Sequence, residues 1–226
     1  TYIESEIPPI LLCELAEGGD HTLVGIGHGY MMPVTSPKQT EVDWPGESPL
    51  KFARSSEWVP HFLVNDDQRG LYLKLNFIHS NLLPRICDSL NIGLNQLEPE
   101  TINNFKNWTC PVSIELDFTN IHASFKECIA NIWGILVPLP QGVLLTGEQA
   151  ERKAARFIRH WHWDYSVPLP NDIVLRTYLS RSNDYKRNIT NSTMDPFLSG
   201  LIRGKPMPRW IWVTEICNSV GYNTPG

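Results

Sequence analysis

Two stretches of alternating apolar and polar residues constrain the fold of this chain more than any other feature of the sequence. The apolar members are Leu71, Leu73, Leu75 and Phe77 in the first stretch and Val112, Ile114, Leu116 and Phe118 in the second. Successive side chains of a β-strand point to opposite faces, so a period of two predicts two half-buried strands. The chain must therefore contain a β-sheet that covers a core with one face.

Shorter apolar runs and helical periodicities predict further elements. Strands are predicted over residues 10–13, 23–26 and 210–216, and helices over 82–90, 100–108 and 120–136. The pattern over 173–179 fits a strand and a helix equally well. Residues 33–60 contain five prolines and predict a long irregular connection, and 181–193 are polar and turn-like.

A capping box predicts the start of a long amphipathic helix over residues 146–164. Thr146 is followed three residues later by Gln149, the spacing at which the two side chains cap each other's amides. An apolar stripe follows at helical spacing: Ala150, Ala154, Phe157, Ile158 and Trp161. The opposite face is basic and carries Arg152, Lys153, Arg156 and Arg159. We predict that this basic face contacts a partner.

The end of the same segment allows a second interpretation, as a metal site. On a strand, His160, His162 and Asp164 would share one face and resemble metal ligands. On a helix, at about 100° per residue, the two histidines lie about 160° apart and cannot share a metal. The helix is the favoured prediction, with no cofactor. A metal-dependent enzyme centred on these three residues stays as an alternative.

The glycine-rich stretch from Gly25 to Gly29 follows a predicted strand and invites comparison with a dinucleotide-binding loop. The third glycine of such a loop would fall at Tyr30, and no helix start follows. A glycine-rich turn is the favoured prediction.

Charge is distributed unevenly along the chain, whose net charge is −5. Residues 1–140 hold 8 Lys/Arg against 17 Asp/Glu, and residues 141–226 hold 11 against 7. The basic part includes a second cluster, in which cations adjoin tryptophans: Arg203, Lys205, Arg209, Trp210 and Trp212. Arginine beside aromatic residues suits both protein interfaces and nucleic acid. The isoelectric point near 5.8 argues against a dedicated nucleic-acid binder.

The spacing of the cysteines and the hydropathy of the chain indicate the cellular compartment of the protein. The five cysteines are widely spaced and contain no Cys-x-x-Cys pair, which indicates free thiols in a reducing compartment. No apolar run is long enough to span a membrane, and the first residues do not resemble a secretory signal. We therefore predict a cytoplasmic protein.

Together these patterns predict an α+β fold with short mixed or antiparallel strands, two or three packed helices and long irregular proline-rich connections. A single domain over 1–226 is expected, with a possible subdivision at 138–142, where the sign of the charge changes. No hydrolase, Walker or kinase motif occurs. We expect a non-catalytic structural or adaptor subunit that binds other protein subunits, including copies of itself. A nucleic-acid-binding component is the alternative.

Overall fold

A computed structural model describes residues 2–29, 38–44, 47–116, 127–165, 172–190 and 195–218. The strands are β1 (Ile10–Leu15), β2 (Asp20–His28), β3 (Gln39–Trp44), β4 (Glu47–Arg54), β5 (Phe62–Asp66), β6 (Gly70–Phe77), β7 (Pro111–Leu116), β8 (Cys128–Leu136), β9 (Ile173–Arg181) and β10 (Trp210–Asn218). The α-helices are α1 (Leu82–Leu90), α2 (Pro99–Lys106), α3 (Gly147–Tyr165), α4 (Ser182–Thr190) and α5 (Pro196–Gly204). Short 3₁₀ helices cover Ile3–Ser5, Ser55–Trp58 and Leu94–Gln96. Among the described residues, no helix combines the length and apolar character needed to cross a membrane.

The chain divides into two compact units, each assembled from separate segments. The first, which we call the sheet unit, comprises residues 1–6, 32–58 and 139–226. The second, the barrel unit, comprises residues 7–31 and 59–138. The chain therefore crosses from one unit to the other four times.

The barrel unit is a closed antiparallel barrel of six strands in the order β1-β2-β5-β6-β7-β8. Closure comes from the pairing of β8 with β1, in which Ile10 lies opposite Leu136 and Leu15 opposite Ala130. All its strand pairs are antiparallel. Closure satisfies the backbone hydrogen bonds on both sides of every strand, so the barrel has no free edge.

Inward-pointing side chains fill the barrel. Alternate residues of β1, namely Leu11, Cys13 and Leu15, are buried in its interior. The other strands contribute Leu23, Val64, Leu73, Leu75, Val112, Ile114, Cys128, Ala130 and Ile132. Barrels this small enclose little more than the side chains that fill them. The interior is therefore a packed core.

Helices α1 and α2 pack on the outside of the barrel. Ile86 of α1 and Phe105 of α2 join Trp108 in a buried cluster against Ile129 of β8. The rings of Phe105 and Trp108 meet edge to face, with centroids 4.9 Å apart. Residues 128–132 of β8 are thus buried on both faces, whereas Trp133, Ile135 and Leu136 are more than half exposed.

The sheet unit is built on a four-stranded sheet in the order β10-β9-β4-β3. Strands β9 and β4 are parallel, with Ala53 opposite Val174, and the other pairs are antiparallel. Helix α3 buries Ala155 and Ile158 in a cluster that includes Phe52 and Leu175. Since neighbouring residues of a strand point to opposite faces, Val174 packs with Trp58 on the other face. Both faces are therefore covered.

The buried side of α3 differs slightly from the predicted stripe. Phe157 was placed on the apolar face, but 67% of it is exposed. Glu151 is buried instead, and its carboxylate pairs with Arg54 Nε at 2.8 Å. The ion pair lets a charged residue take a position that hydrophobicity alone would give to an apolar one.

The predicted α+β fold with packed helices is wrong, because a closed six-stranded β-barrel and a second sheet form the framework. The central error is the helix predicted over 120–136. Residues 128–136 form strand β8, and residues 117–126 lie outside the described part of the chain. Residues 128–132 are buried on both faces and Trp133, Ile135 and Leu136 are apolar although exposed, so the strand lacks polar/apolar alternation and its apolar residues also fit helical spacings.

The irregular connection predicted over 33–60 is also wrong where the structure describes it. Strands β3 and β4 form a hairpin there, with Val42 opposite Leu50. The register shifts at Asp43, so that Ser48 and Pro49 both fall opposite it. Proline is tolerated at such a bulge because the ladder lacks a hydrogen bond there. The proline thus marks an irregularity within a strand.

Three further predictions change in smaller ways. The polar loop predicted over 181–193 contains helix α4, in which Arg187 pairs with Asp184 and Ile189 is buried. Residues 173–179, left open, belong to strand β9. The glycine-rich turn over 25–29 is wrong, because Gly25 and Gly27 lie within β2.

Several local predictions are confirmed. The alternating segments form β6 and β7, and the shorter apolar runs lie in β1, β2 and β10. Helices α1 and α2 occupy the predicted stretches. The capping box at the start of α3 is present, since the Gln149 amide donates to Thr146 Oγ1 at 3.2 Å and the Thr146 amide to Gln149 Oε1 at 3.0 Å.

Candidate anion-binding site

A cluster of arginines forms in the sheet unit where β9 ends and β10 begins. In this antiparallel pair Arg181, the last residue of β9, lies opposite Trp210, the first of β10. The register brings Arg181 close to Arg209. Helix α4 starts at the next residue, Ser182, whose amide donates to the Arg209 carbonyl at 3.0 Å. Strand pairing and this hydrogen bond fix both arginines beside the first turn of α4.

These residues line a cavity of about 650 Å³, which we call the arginine pocket. Its lining consists of Arg181, Ser182, Asn183, Asp184, Arg187, Met207 and Arg209. The lining is predominantly polar and includes three guanidinium groups and one carboxylate. The excess of positive charge suits an anionic ligand.

Two features of the pocket favour anions. The amides of a first helical turn have no acceptor within the helix, and the helix dipole adds partial positive charge at that end. Asn183 and Asp184 lie in this turn of α4. The Asp184 carboxylate accepts from Arg187 Nη2 at 2.6 Å, and both side chains are well exposed. An exposed pair of this kind is weak, so Arg187 can exchange Asp184 for a ligand at little cost.

The Trp210 ring contacts the guanidinium group of Arg181. The Arg181 guanidinium lies 5.3 Å from the centroid of the Trp210 ring, which is a cation–π contact. The flat guanidinium keeps its N–H groups at its edge for a ligand while its face rests on the ring. Trp210 therefore positions Arg181 and is expected to report on its environment.

A side-chain contact connects α4 to the end of α5. The Lys186 ammonium donates to the Lys205 carbonyl at 2.6 Å. The residues after Lys205 lead to Met207 and Arg209, which line the arginine pocket. Helix α5 and the pocket are therefore parts of one local arrangement.

Only some residues of the predicted Arg/Trp segment belong to the arginine pocket. Arg209 lines the pocket and Trp210 supports it, whereas Arg203 and Lys205 are exposed outside its lining. Trp212 packs edge-on against Tyr2, with ring centroids 6.3 Å apart. The segment thus contributes to the pocket from one end only.

The predicted basic face of α3 is exposed but takes no part in the pocket lining. Arg152, Lys153 and Arg156 are exposed, and Arg159 is half-buried. Arg152 pairs with Glu148 one turn earlier at 2.8 Å. Partner binding by this face stays a prediction.

The histidines of the metal-site alternative lie on a continuous helix. Helix α3 extends to Tyr165, and the His160 side chain is exposed. The side chains of His162 and Asp164 are outside the described part of the structure. The helical backbone separates the two histidines by the angle derived from the sequence, so the strand arrangement needed for His160, His162 and Asp164 to share one face does not form.

A polar cluster in the barrel unit was not predicted from the sequence. His21, Asp66 and Asp67 lie close enough to share a metal ion, with ligand atoms within 4.8 Å of one another. However, the Asp66 carboxylate is already fully engaged. Its Oδ2 contacts His21 Nε2 at 2.9 Å and accepts from Arg69 Nη1 at 3.3 Å. Its Oδ1 accepts the amides of Gln68 and Arg69.

This cluster is a structural anchor for the β5–β6 hairpin. Burial by itself raises the pKa of Asp66, but the amides of Gln68 and Arg69 and the His21 ring lower it below its ordinary value. Arg69 also pairs with Glu17. The sequence offers no periodic signal for the contacts of Asp66 with His21 and of Arg69 with Glu17, because these residues are far apart in the chain.

Burial favours the neutral forms of two cysteine thiols and one tyrosine hydroxyl, which are potential nucleophiles. Burial raises the pKa of Cys13 and of Cys128 to about 11. Burial and the nearby Glu215 carboxylate, which accepts the Tyr178 hydroxyl at 2.8 Å, raise the pKa of Tyr178 well above its ordinary value. All five cysteines are free thiols. Cys13 and Cys128 therefore lack the lowered pKa that marks a reactive cysteine.

The chain matches no protein-family model, no curated protein and no solved structure. Its function must therefore be argued from the geometry described above.

Proposed function

We propose that this protein is an adaptor that binds a phosphate-bearing partner through the arginine pocket. The observation that carries the proposal is the convergence of Arg181, Arg187 and Arg209 on one cavity at the start of α4. The Asp184 carboxylate offsets only one of these three cations, so the lining keeps a net positive charge. The arrangement is therefore best matched by a ligand with more than one anionic oxygen.

Phosphate suits these groups better than a single carboxylate does. A guanidinium presents parallel N–H donors that match two oxygens of one phosphate. The first-turn amides of α4 can donate to a third phosphate oxygen at the positive end of the helix dipole. Residues 181–209 hold six Lys/Arg against two Asp/Glu in a chain whose net charge is −5. The local excess of cations would attract an anionic partner over a distance of about 10 Å at moderate salt.

Nucleic acid is the alternative source of phosphate, and salt dependence discriminates it from a partner with one phosphate group. A nucleic-acid complex neutralises many phosphates and weakens steeply as salt rises. The proposed pocket contacts one or two phosphates, so a shallow dependence is expected.

Titration with inorganic pyrophosphate tests the proposal, because this anion contains only the recognised group. We expect a saturable change in tryptophan fluorescence that disappears in Trp210→Phe, since Trp210 contacts Arg181. Calorimetry should show binding to both proteins. Replacing Arg181 or Arg209 by Ala should weaken it about tenfold each, since a hydrogen bond to a charged group contributes on the order of 1.5 kcal/mol.

Arg152→Ala is the matched control, because Arg152 is an exposed arginine of the same unit that does not line the pocket. Its affinity for pyrophosphate should equal that of the unmodified protein. Absence of binding by calorimetry, or equal losses in Arg152→Ala and Arg209→Ala, would refute the proposal.

A further inference from the structure

Helix α5 exposes its large apolar side chains and buries a polar one. Phe197, Leu198 and Leu201 are 72%, 51% and 52% exposed, whereas Ser199 is 8% exposed. At about 100° per residue the three apolar side chains fall within one arc of about 100°. A surface helix normally has the opposite arrangement, with its apolar stripe against the core. The outward stripe therefore indicates an apolar environment outside the protein.

Helix α5 is capped at its first turn and bonded to α4 at its end. The Asp195 carboxylate accepts the amides of Phe197 and Leu198 at 2.9 and 3.1 Å, which caps the first turn. At the other end the Lys205 carbonyl accepts from Lys186 of α4. The outward direction of the stripe is thus that of a regular, capped helix whose C-terminal end is bonded to α4.

Basic residues follow this apolar stripe in the sequence. Arg203 and Lys205 are exposed at the end of α5, and Arg209 follows in the arginine pocket. The carboxylates of the region are engaged, since Asp195 caps α5 and Asp184 pairs with Arg187. An exposed apolar stripe with exposed cations beside it is the pattern of a helix that lies in a membrane interface.

We infer that α5 docks on the surface of an anionic phospholipid bilayer, with Phe197, Leu198 and Leu201 inserted between headgroups. The inference rests on the proposed function, because the arginine pocket would then take the phosphate of a lipid headgroup. Arg203 and Lys205, both exposed at the end of α5, add positive charge close to the anionic surface, which attracts basic residues near it. The protein binds at the surface, without a membrane-spanning segment in the described residues.

Composition favours lipid over a protein partner at this helix. Protein interfaces draw most of their binding energy from Trp, Tyr and Arg. The exposed stripe of α5 contains Phe and Leu only, which are the residues that insert into the acyl boundary. Cations lie beside this stripe and not within it, as they do when charged groups stay at the headgroup level.

Co-sedimentation of the whole protein with vesicles tests the inference. We expect binding to phosphatidylcholine vesicles that contain phosphatidylserine and none to pure phosphatidylcholine. The triple variant Phe197→Ser, Leu198→Ser, Leu201→Ser should lose at least tenfold in partitioning. The double variant Arg203→Glu, Lys205→Glu should lose a similar factor, because it places negative charge against the anionic surface.

Leu144→Ser is the matched control, because Leu144 is 92% exposed in the same unit and lies outside α5. Its partitioning should be unchanged. Circular dichroism and the urea midpoint of each variant establish that folding is retained. If the triple variant does not fold, Leu201→Asp alone replaces it. Partitioning equal to that of Leu144→Ser in the α5 variants overturns the inference.

Pyrophosphate titration of the same preparation separates this inference from the proposed function. Pyrophosphate binding without vesicle binding would leave the pocket intact as a site and overturn membrane docking, in favour of a phosphorylated protein or nucleic acid. Loss of both would overturn both.

Discussion

Asp66 provides the sharpest test of the barrel unit, because one carboxylate satisfies groups from two hairpins. Its side chain is fully buried and bonds to the amides of Gln68 and Arg69, to the His21 ring and to the Arg69 guanidinium. Replacing Asp66 by Ala leaves two amides and two nitrogen-bearing side chains without this acceptor. We expect a loss of about 3–4 kcal/mol in the free energy of unfolding, because the buried acceptor of the Arg69 guanidinium and of two amides is removed.

Asp66→Asn separates the contribution of the acceptor oxygen from the contribution of the negative charge. Asparagine keeps a carbonyl oxygen for the amides of Gln68 and Arg69 but has no charge for His21 and Arg69. A smaller loss of about 1–2 kcal/mol is expected. The neighbouring Asp67 is exposed, so Asp67→Asn should change stability by less than about 0.5 kcal/mol. Urea denaturation at neutral pH, followed by circular dichroism, measures all three variants.

The pH dependence gives an independent check. The folded-state pKa of Asp66 lies below its ordinary value of 3.8, so its contribution is complete above that value and is lost as pH falls toward the folded-state pKa. The stability difference between the unmodified protein and Asp66→Asn should therefore shrink as the solution is acidified below that value. If Asp66→Ala were no more destabilising than Asp67→Asn, or if the difference did not change in acid, Asp66 would not be the anchor described here.

Two further predictions concern thiols and a helix cap. Burial raises the pKa of Cys13 and of Cys128 to about 11, so both thiols should resist iodoacetamide at neutral pH until urea unfolds the barrel. Peptide mass spectrometry measures the labelling of each cysteine. Faster labelling of these two thiols than of half-exposed Cys110 would contradict the burial argument. Thr146→Ala should cost about 1 kcal/mol in the free energy of unfolding, because the Gln149 amide loses its side-chain acceptor; an unchanged urea midpoint would show that α3 does not depend on its cap.

Local elements were predictable from the sequence because their signals are local. The alternation over 71–77 requires only neighbouring residues, and the Thr146–Gln149 cap spans one helical turn. Closure of the barrel depends instead on pairing Ile10 with Leu136, and no short window of sequence contains that information. The mainly apolar character of β8, which extends from its buried first half into its exposed second half, then favoured a helix in the sequence.

The arginine pocket was predictable in part, for the same reason. The sequence shows Arg209 beside Trp210, and it shows Arg181 near the start of a polar stretch. Their meeting follows from the β9–β10 register, in which Arg181 lies opposite Trp210. Met207 and Asn183 carry no signal that would assign them to a pocket lining before the register is known.

The interleaved segments of the two units impose an order on folding during synthesis. All six strands of the barrel have been made once the ribosome passes Leu136. Strand β4 must wait much longer for its parallel partner, because Ala53 pairs with Val174. Until β9 emerges, the β3–β4 hairpin presents an unpaired edge, which is a site for wrong strand pairing. Vectorial synthesis therefore favours early closure of the barrel and leaves the sheet unit as the aggregation-sensitive half of the nascent chain.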